Sequence, residues 1–227
     1  MLLAIDTSTA QTGLALYDGV QVAAELVWVT RLNHTRELAP ALAGLLERAG
    51  LRVDALRAVG VAIGPGSFTS LRVGLAFAKG LALGRALPLI GVPTLDVVAA
   101  AVPLPPAEAG PARLAAVLQA GRGRLALVWY RPAAEGWQAE GPPQVTTASE
   151  LAARIRRPTL VCGELTAEDM RPLRRRFKNV RLASPARCVR RPALLAELAW
   201  RRWQAGETDA PASLAPIYLH VAGGPPA

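Results

Sequence analysis

The stretch LLAIDTSTAQTGLALYDGVQVAAELVWV, residues 2–29, decides how the fold is read. Leu2–Ile5 is a short apolar run ending in Asp6, and Gly13–Tyr17 follows a Thr/Gln turn. Asp18-Gly19 is a strong hairpin signal, because these residue types accept the backbone angles of a two-residue turn. Val22–Val29 supplies a third strand. Then the period changes. From His34 to Ala49 the positions Leu38, Leu42, Leu45, Leu46 and Ala49 recur at helical spacing. Asn33 suits the N-cap, Gly50 suits the position just past the end, and Pro40 is expected to kink this helix or tighten its first turn. Ala58–Ile63 reads as a buried strand, followed by a Gly-Pro-Gly turn and a helix from about Thr69. Leu87–Val92 and the segment after Pro93 complete the series.

Val102–Pro111, with Pro103, Pro105, Pro106, Gly110 and Pro111, has the composition of a linker. After it the order of element types begins again. Arg113–Gln119, Leu125–Trp129 and roughly Trp137–Val145 read as strands, and Ser149 caps a helix to about Ile155. Strand Thr159–Cys162, helix Glu168–Phe177, a strand near Val180 and helix Ala193–Ala205 follow. Hairpin-linked strands followed by alternating helices and strands fit a mixed sheet with helices on its faces. The expected organisation is an α/β protein with two tandem lobes, 1–105 and 111–205. A tail, 206–227, is expected to pack back on the first lobe, with Ile217–Val221 as an extra strand.

Hydrophobic residues make up 52% of the 227, enough for a sizeable core, and no apolar run is long enough to cross a bilayer. Asp6 almost at the start and the lack of a basic leader argue against a secretory signal. Cys162 and Cys188 match no metal-ligand spacing and are expected to be reduced thiols of a cytoplasmic protein. The net charge of +9 is uneven: residues 1–110 hold 8 Lys/Arg and 8 Asp/Glu, and residues 111–227 hold 18 and 9. A basic second half suits nucleic-acid phosphates, although arginine runs such as Arg171/Arg174/Arg175/Arg176 also suit a solvated face.

Catalytic constellations are scarce. His34 and His220 are the two histidines, too few for a typical histidine metal site, and Leu38 stands one turn after His34 where a second ligand would be needed. Ser67 lacks the flanks of a nucleophile elbow, and no P-loop lysine motif occurs. Gly64-Pro65-Gly66-Ser67-Phe68-Thr69 can hold an anion on backbone N–H groups, or can simply be a tight turn with Ser67 as cap. With Asp6, Thr7 and Ser8 after the first strand, Gly64, Gly66 and Ser67 form a candidate nucleotide- or anion-binding set. The matching point of the second lobe is Gln119, a neutral residue, which argues against independent ATP hydrolysis. Gly74, Ala78 and Ala82 lie four apart on the next helix, a small-residue row that admits a close neighbour from this chain or another.

Leu3-Ala4-Ile5-Asp6-Thr7-Ser8, Asn33-His34-Thr35, the Gly64–Gly74 stretch, Leu81-Ala82-Leu83-Gly84 and Gly91-Val92-Pro93-Thr94-Leu95 together resemble the TsaB (YeaZ) family. Pro216-Ile217-Tyr218-Leu219 is similar to its C-terminal signature. The match is dense over about the first 95 residues and one of layout in the second half. The resemblance implies the actin-like ATPase (ASKHA, RNase H-like) fold. It also implies a scaffold role, without catalysis, in forming N6-threonylcarbamoyladenosine in tRNA beside the anticodon. The expected partners are the transferase TsaD, the ATPase TsaE or, in the absence of TsaD, a second copy. No cofactor is expected beyond weak nucleotide binding in the assembled complex. The implied partner contact lies on the first two helices: His34, Leu38, Leu42 and Leu45 of one, and Leu71, Arg72, Gly74, Leu75, Ala78 and Ala82 of the other. The family's commoner residues are glycine where Ser70 stands, Asp-Ala-Arg at Gln119-Ala120-Gly121-Arg122, and arginine where His220 stands. The alternative is an ATP-dependent kinase or a peptidase-like enzyme of the same fold, which would need acids from both lobes or a nucleophile with its base.

Overall fold

In the computed structural model, which describes residues 1–30, 33–106 and 113–219, strand β1 (Leu2–Asp6) is buried along its whole length. It pairs antiparallel with β2 (Gln11–Tyr17), and β2 with β3 (Val22–Val29). On its other side it runs parallel to β4 (Ala58–Ala62), and β4 runs parallel to β5 (Leu89–Val92), giving the order β3-β2-β1-β4-β5. Side chains of a strand alternate between faces, and both faces of β1 are apolar, so the sheet needs cover on both sides.

Leu3 and Ile5 meet the first helical layer. It consists of α1 (His34–Arg48), through Leu38, Leu42 and Leu45, and α2 (Phe68–Arg85), through Leu75, Ala78 and Ala82. Leu2 and Ala4 point the other way, against α3 (Thr94–Ala100), through Val97, and α6 (Pro192–Gln204), through Leu195, Ala196 and Ala199. Full burial of Leu195 alone contributes about 1.5–3 kcal/mol. Met1–Val97 and Arg190–Ile217 therefore form one compact unit, and Val98–Val189 is the body of the other.

In the second unit β6 (Arg113–Gln119) pairs antiparallel with β7 (Leu125–Ala133), which pairs with both β8 (Gly136–Ala139) and β9 (Gln144–Thr146). β6 runs parallel to β10 (Thr159–Gly163), and β10 to β11 (Val180–Leu182). Helices α4 (Ala148–Arg154) and α5 (Ala167–Arg174) each begin with a reciprocal capping box, Thr147 with Glu150 and Thr166 with Asp169. Leu151 and Leu173 join Val117, Leu127 and Val161 in this unit's core.

Several expectations change. The helix expected in a second lobe of residues 111–205 is α6, and it covers the first sheet. The expected single strand Trp137–Val145 is two short strands, because Gly141-Pro142-Pro143 between them breaks the ladder. Thr147 caps α4, the role expected of Ser149. α1 runs without interruption past Pro40, and Asn33 holds the N-cap position through its carbonyl, with no side-chain cap bond. Beyond α6, Asp209 bridges to Leu89 and the Ile217 N–H donates to the Ile63 carbonyl at 2.7 Å, both within the first unit. Residues 217–219 are not in a strand, and the rest of the expected Ile217–Val221 strand, with His220, lies outside the described residues.

Candidate functional site

The loops after β1 and β4 meet. Asp6 ends β1, and Thr7 and Ser8 follow it into the interior. The Thr7 hydroxyl donates to the Ser70 carbonyl at 2.7 Å, and the Ser67 N–H donates to the Ser8 carbonyl at 2.7 Å. The Ser8 and Thr94 hydroxyls share a 2.8 Å hydrogen bond, and the Gly64 N–H donates to the Thr94 hydroxyl at 2.9 Å. All six expected residues, Asp6, Thr7, Ser8, Gly64, Gly66 and Ser67, are thus brought to one place.

Their polar groups nevertheless serve the chain itself. A Cβ on Gly66 would stand 2.2 Å from the Ser8 carbonyl oxygen, so this glycine admits a loop of its own chain, the tight-turn reading of the two that its sequence allows. Ser67 caps α2, accepting from the Ser70 N–H and hydroxyl. Asp6, 2% exposed, accepts from the Ser8 N–H at 2.8 Å and forms an ion pair at 2.9 Å with the fully buried Arg190 guanidinium. Arg190 also donates at 2.8 Å to the Thr9 hydroxyl and to the Gln11 carbonyl, while its own N–H donates to the Gln11 side chain. The carboxylate that would balance Mg²⁺ is already balanced by a cation from residue 190, and these residues do not fit a nucleotide-bound metal ion. Nothing local in the sequence marks Arg190, because its partner is 184 positions away.

In the second unit Gln119 ends β6 as Asp6 ends β1. Its amide donates at 2.7 Å to Asp169, an acid that reading along the chain did not single out. Asp169 serves the α5 capping box. Among the described residues no group of three His, Cys, Asp or Glu can hold a metal. The buried His34 shares a 3.0 Å hydrogen bond with Thr12, and desolvation lowers its pKa against the opposing pull of Glu37 and Asp6.

Cys162 and Cys188 are free thiols with sulfurs 3.9 Å apart. The neighbouring Cys162 thiol draws the Cys188 thiol down to about 6 against an opposing desolvation, with help from the Gly163 N–H. The same contact, with burial, pushes Cys162 far above an ordinary thiol. Alkylation by iodoacetamide, followed by peptide mass spectrometry, is expected at Cys188, with a rate that climbs as pH rises through about 6. Cys162→Ala removes the neighbouring thiol and should move that midpoint up toward an unperturbed thiol. A midpoint unmoved by the substitution would refute the pairing.

The two leading helices carry the other candidate set. Nine of its ten residues are buried: His34, Leu38, Leu42, Leu45, Leu71, Gly74, Leu75, Ala78 and Ala82; Arg72 alone of the ten is exposed. The Gly74/Ala78/Ala82 row faces inward. A Cβ on Gly74 would stand 2.1 Å from the Thr7 hydroxyl, and Ala78 is 0% exposed beneath β1 and β4. The expected interface row is core, because small residues permit close approach by a sheet as readily as by a helix. Two residues further along, about 200° around the helix, a second row of Ala76, Gly80 and Gly84 faces outward. Leu83, 71% exposed, lies beside it, and Phe68, 44% exposed, begins the helix. An open trough of about 470 Å³ runs between the helices, lined by Thr35 and Leu38 of α1 and Phe68, Arg72, Val73 and Phe77, among others, of α2. The Arg72 guanidinium stacks 3.6 Å over the Phe68 ring.

A family model described as TsaD: tRNA N6-adenosine threonylcarbamoyltransferase matches residues 28–164, more than half of the chain. The tRNA threonylcarbamoyladenosine biosynthesis protein TsaB of Escherichia coli (strain K12) is 40% identical over 98 residues, 43% of this chain and 42% of that protein. Its namesake in Bacillus subtilis (strain 168) is 37% identical over 99 residues, 44% of this chain and 43% of that protein. The matched segment thus spans less than half the length of these relatives. Among solved structures, YeaZ from Pseudomonas aeruginosa superposes with a TM-score of 0.76 at 24% identity, covering 96% of this chain and 99% of that one. The ROK hexokinase from Thermus thermophilus superposes with a TM-score of 0.50 at 12% identity, covering 90% and 99%. The fold is the actin-like, ASKHA-type α/β fold, with two tandem units each built on a mixed sheet flanked by helices.

Proposed function

This chain belongs to the tRNA N6-adenosine threonylcarbamoyltransferase family, on its TsaB side, and from that premise we propose that it is a docking subunit and not the transferase. The TsaB likeness supports a role in tRNA threonylcarbamoyladenosine biosynthesis. The observation that carries the docking role is the outward row on α2. Gly80 and Gly84 stand inside an α-helix with open space where a Cβ would be, so nothing in this chain requires glycine there. Each costs helix stability by roughly 0.5–1 kcal/mol relative to alanine, and the exposed Leu83 beside them is left wet. A partner helix lying along Ala76, Gly80 and Gly84 accounts for all three features, with Phe68 and Leu83 as anchors.

The partner is the transferase TsaD, whose own leading helices share this fold and can meet α1 and α2 as a pseudo-symmetric pair. A second copy takes the same face when TsaD is absent. TsaE joins the assembly, which works in the cytoplasm where tRNA is. Docking acts by favouring the active arrangement of TsaD, a population shift set by differential affinity for two states. No described helix is long and apolar enough to cross a membrane. The kinase-like alternative loses support at Asp6, whose carboxylate is held by Arg190.

Reconstitution with each subunit left out tests the reading. TsaD and TsaE with this chain should modify tRNA, while the chain alone with tRNA and activated substrate should not. Threonylcarbamoyl transfer by the chain alone would overturn the proposal.

A further inference from the structure

The parallel strands of the second sheet bring basic turns to one edge. In register, Thr159 pairs with Arg113 on one side and Val180 on the other, so the amino ends of β6, β10 and β11 lie side by side. Arg113 begins β6. The exposed Arg154, Arg156 and Arg157 precede β10, and the exposed run Arg174-Arg175-Arg176-Phe177-Lys178 precedes β11. The second turn is tied to this edge: the Arg176 carbonyl accepts from the Asn179 and Val180 N–H groups, and the Asn179 carbonyl accepts from the Thr159 N–H at 2.8 Å. Its tip presents Phe177, 74% exposed, between cations on both sides.

Two strands further along the same sheet, where Arg113 begins β6, is a cavity of about 220 Å³, lined in part by Arg113, Trp129, Glu140, Gln144 and Arg154. The Arg113 guanidinium lies 3.9 Å over the Trp129 ring. Glu140 accepts from Arg113 at 3.0 Å and lies 3.8 Å from Arg157, so one carboxylate serves two guanidinium groups and the cavity rim stays positive. A solvated arginine face has no need of a large aromatic ring held out at a hydrogen-bonded tip. Water penalises that ring, and nothing in its own turn covers it.

We propose that this edge is a binding surface for single-stranded RNA, with Phe177 as a stacking platform for a base and the arginines of the two turns as phosphate contacts. Stacking on an exposed ring needs an unpaired base, which directs the surface to loops and single strands and not to duplex. Guanidinium groups at the cavity rim seat backbone phosphates by paired hydrogen bonds. The inference rests on the tRNA-biosynthesis reading only for the identity of the RNA, which is then a loop of tRNA; the surface is separate from the α2 row.

The test is a fluorescence-anisotropy titration of the full chain with a labelled RNA hairpin carrying an open loop, and with the same strand annealed into duplex, over a range of salt. The hairpin should bind more tightly than the duplex. Its log affinity should fall linearly with log salt, by about 0.7 per phosphate neutralised. Phe177→Ala, at an exposed position, should weaken hairpin binding roughly ten-fold without changing the salt slope. Arg175→Ala with Arg176→Ala should flatten the slope by about 0.7 for each phosphate left without its arginine. Equal affinity for duplex, a flat salt response, or a Phe177→Ala protein that binds as the wild type does would each overturn the proposal. Hairpin binding is read on this chain alone and docking by co-elution with TsaD in the absence of RNA, so failure of docking and failure of RNA binding are told apart.

Discussion

Arg190→Ala is expected to remove about 3–5 kcal/mol of folding free energy, read by urea denaturation near neutral pH. The loss is large because the substitution leaves the Asp6 carboxylate, 2% exposed, without its buried counter-charge, while the Ser8 N–H still donates to it. The Thr9 hydroxyl and the Gln11 carbonyl lose a charged donor in the same step. Replacing both partners, Asp6→Leu with Arg190→Met, should recover most of the loss, since a buried ion pair is often no better than apolar groups of like volume. A cost below about 1 kcal/mol for Arg190→Ala would mean that water reaches the pair. The reason for rejecting a metal-bound nucleotide at Asp6 would then disappear. The pair joins the segment that leads into α6 to the end of β1, and the Asp6 charge is spent within the chain.

Two substitutions two residues apart on α2 are expected to fail in different ways. Ala78→Glu puts a carboxylate with no partner among Leu3, Ile5 and Val59, and should cost several kcal/mol, enough to leave little folded protein. Gly80→Glu faces open space, and replacing a helical glycine there should hold or slightly raise stability, by up to about 1 kcal/mol. It should nevertheless abolish co-elution with TsaD and weaken self-association, because the added side chain and charge stand where a partner helix must approach. Gly80→Ala is the finer probe, with a more stable subunit and a weaker complex. Size-exclusion chromatography with thermal melts separates the outcomes, and a Gly80→Glu protein that still co-elutes would move the docking face elsewhere.

Much of the molecule is legible along the chain. The short apolar runs Leu2–Ile5 and Gly13–Tyr17, the Asp18-Gly19 turn and the helical recurrence of Leu38, Leu42 and Leu45 each report local geometry, and each element stands where that geometry put it. Strands Arg113–Gln119 and Thr159–Gly163 of the second half are legible in the same way.

Three matters belonged to the tertiary structure alone. The apolar face of α6 announces that it needs cover but not which sheet provides it; only the doubly buried β1, with Leu2 and Ala4 facing away from α1 and α2, decides that. Ser and Gly after β1 and β4 mark a tight polar turn, and whether it holds a ligand or its own chain depended on Arg190 arriving from the far end of the sequence. On α2 both small-residue rows satisfy the same four-residue spacing. Periodicity locates a stripe on a helix, but the side that meets the sheet is chosen by packing between segments distant in sequence, and that choice put Ala78 inside and Gly80 out.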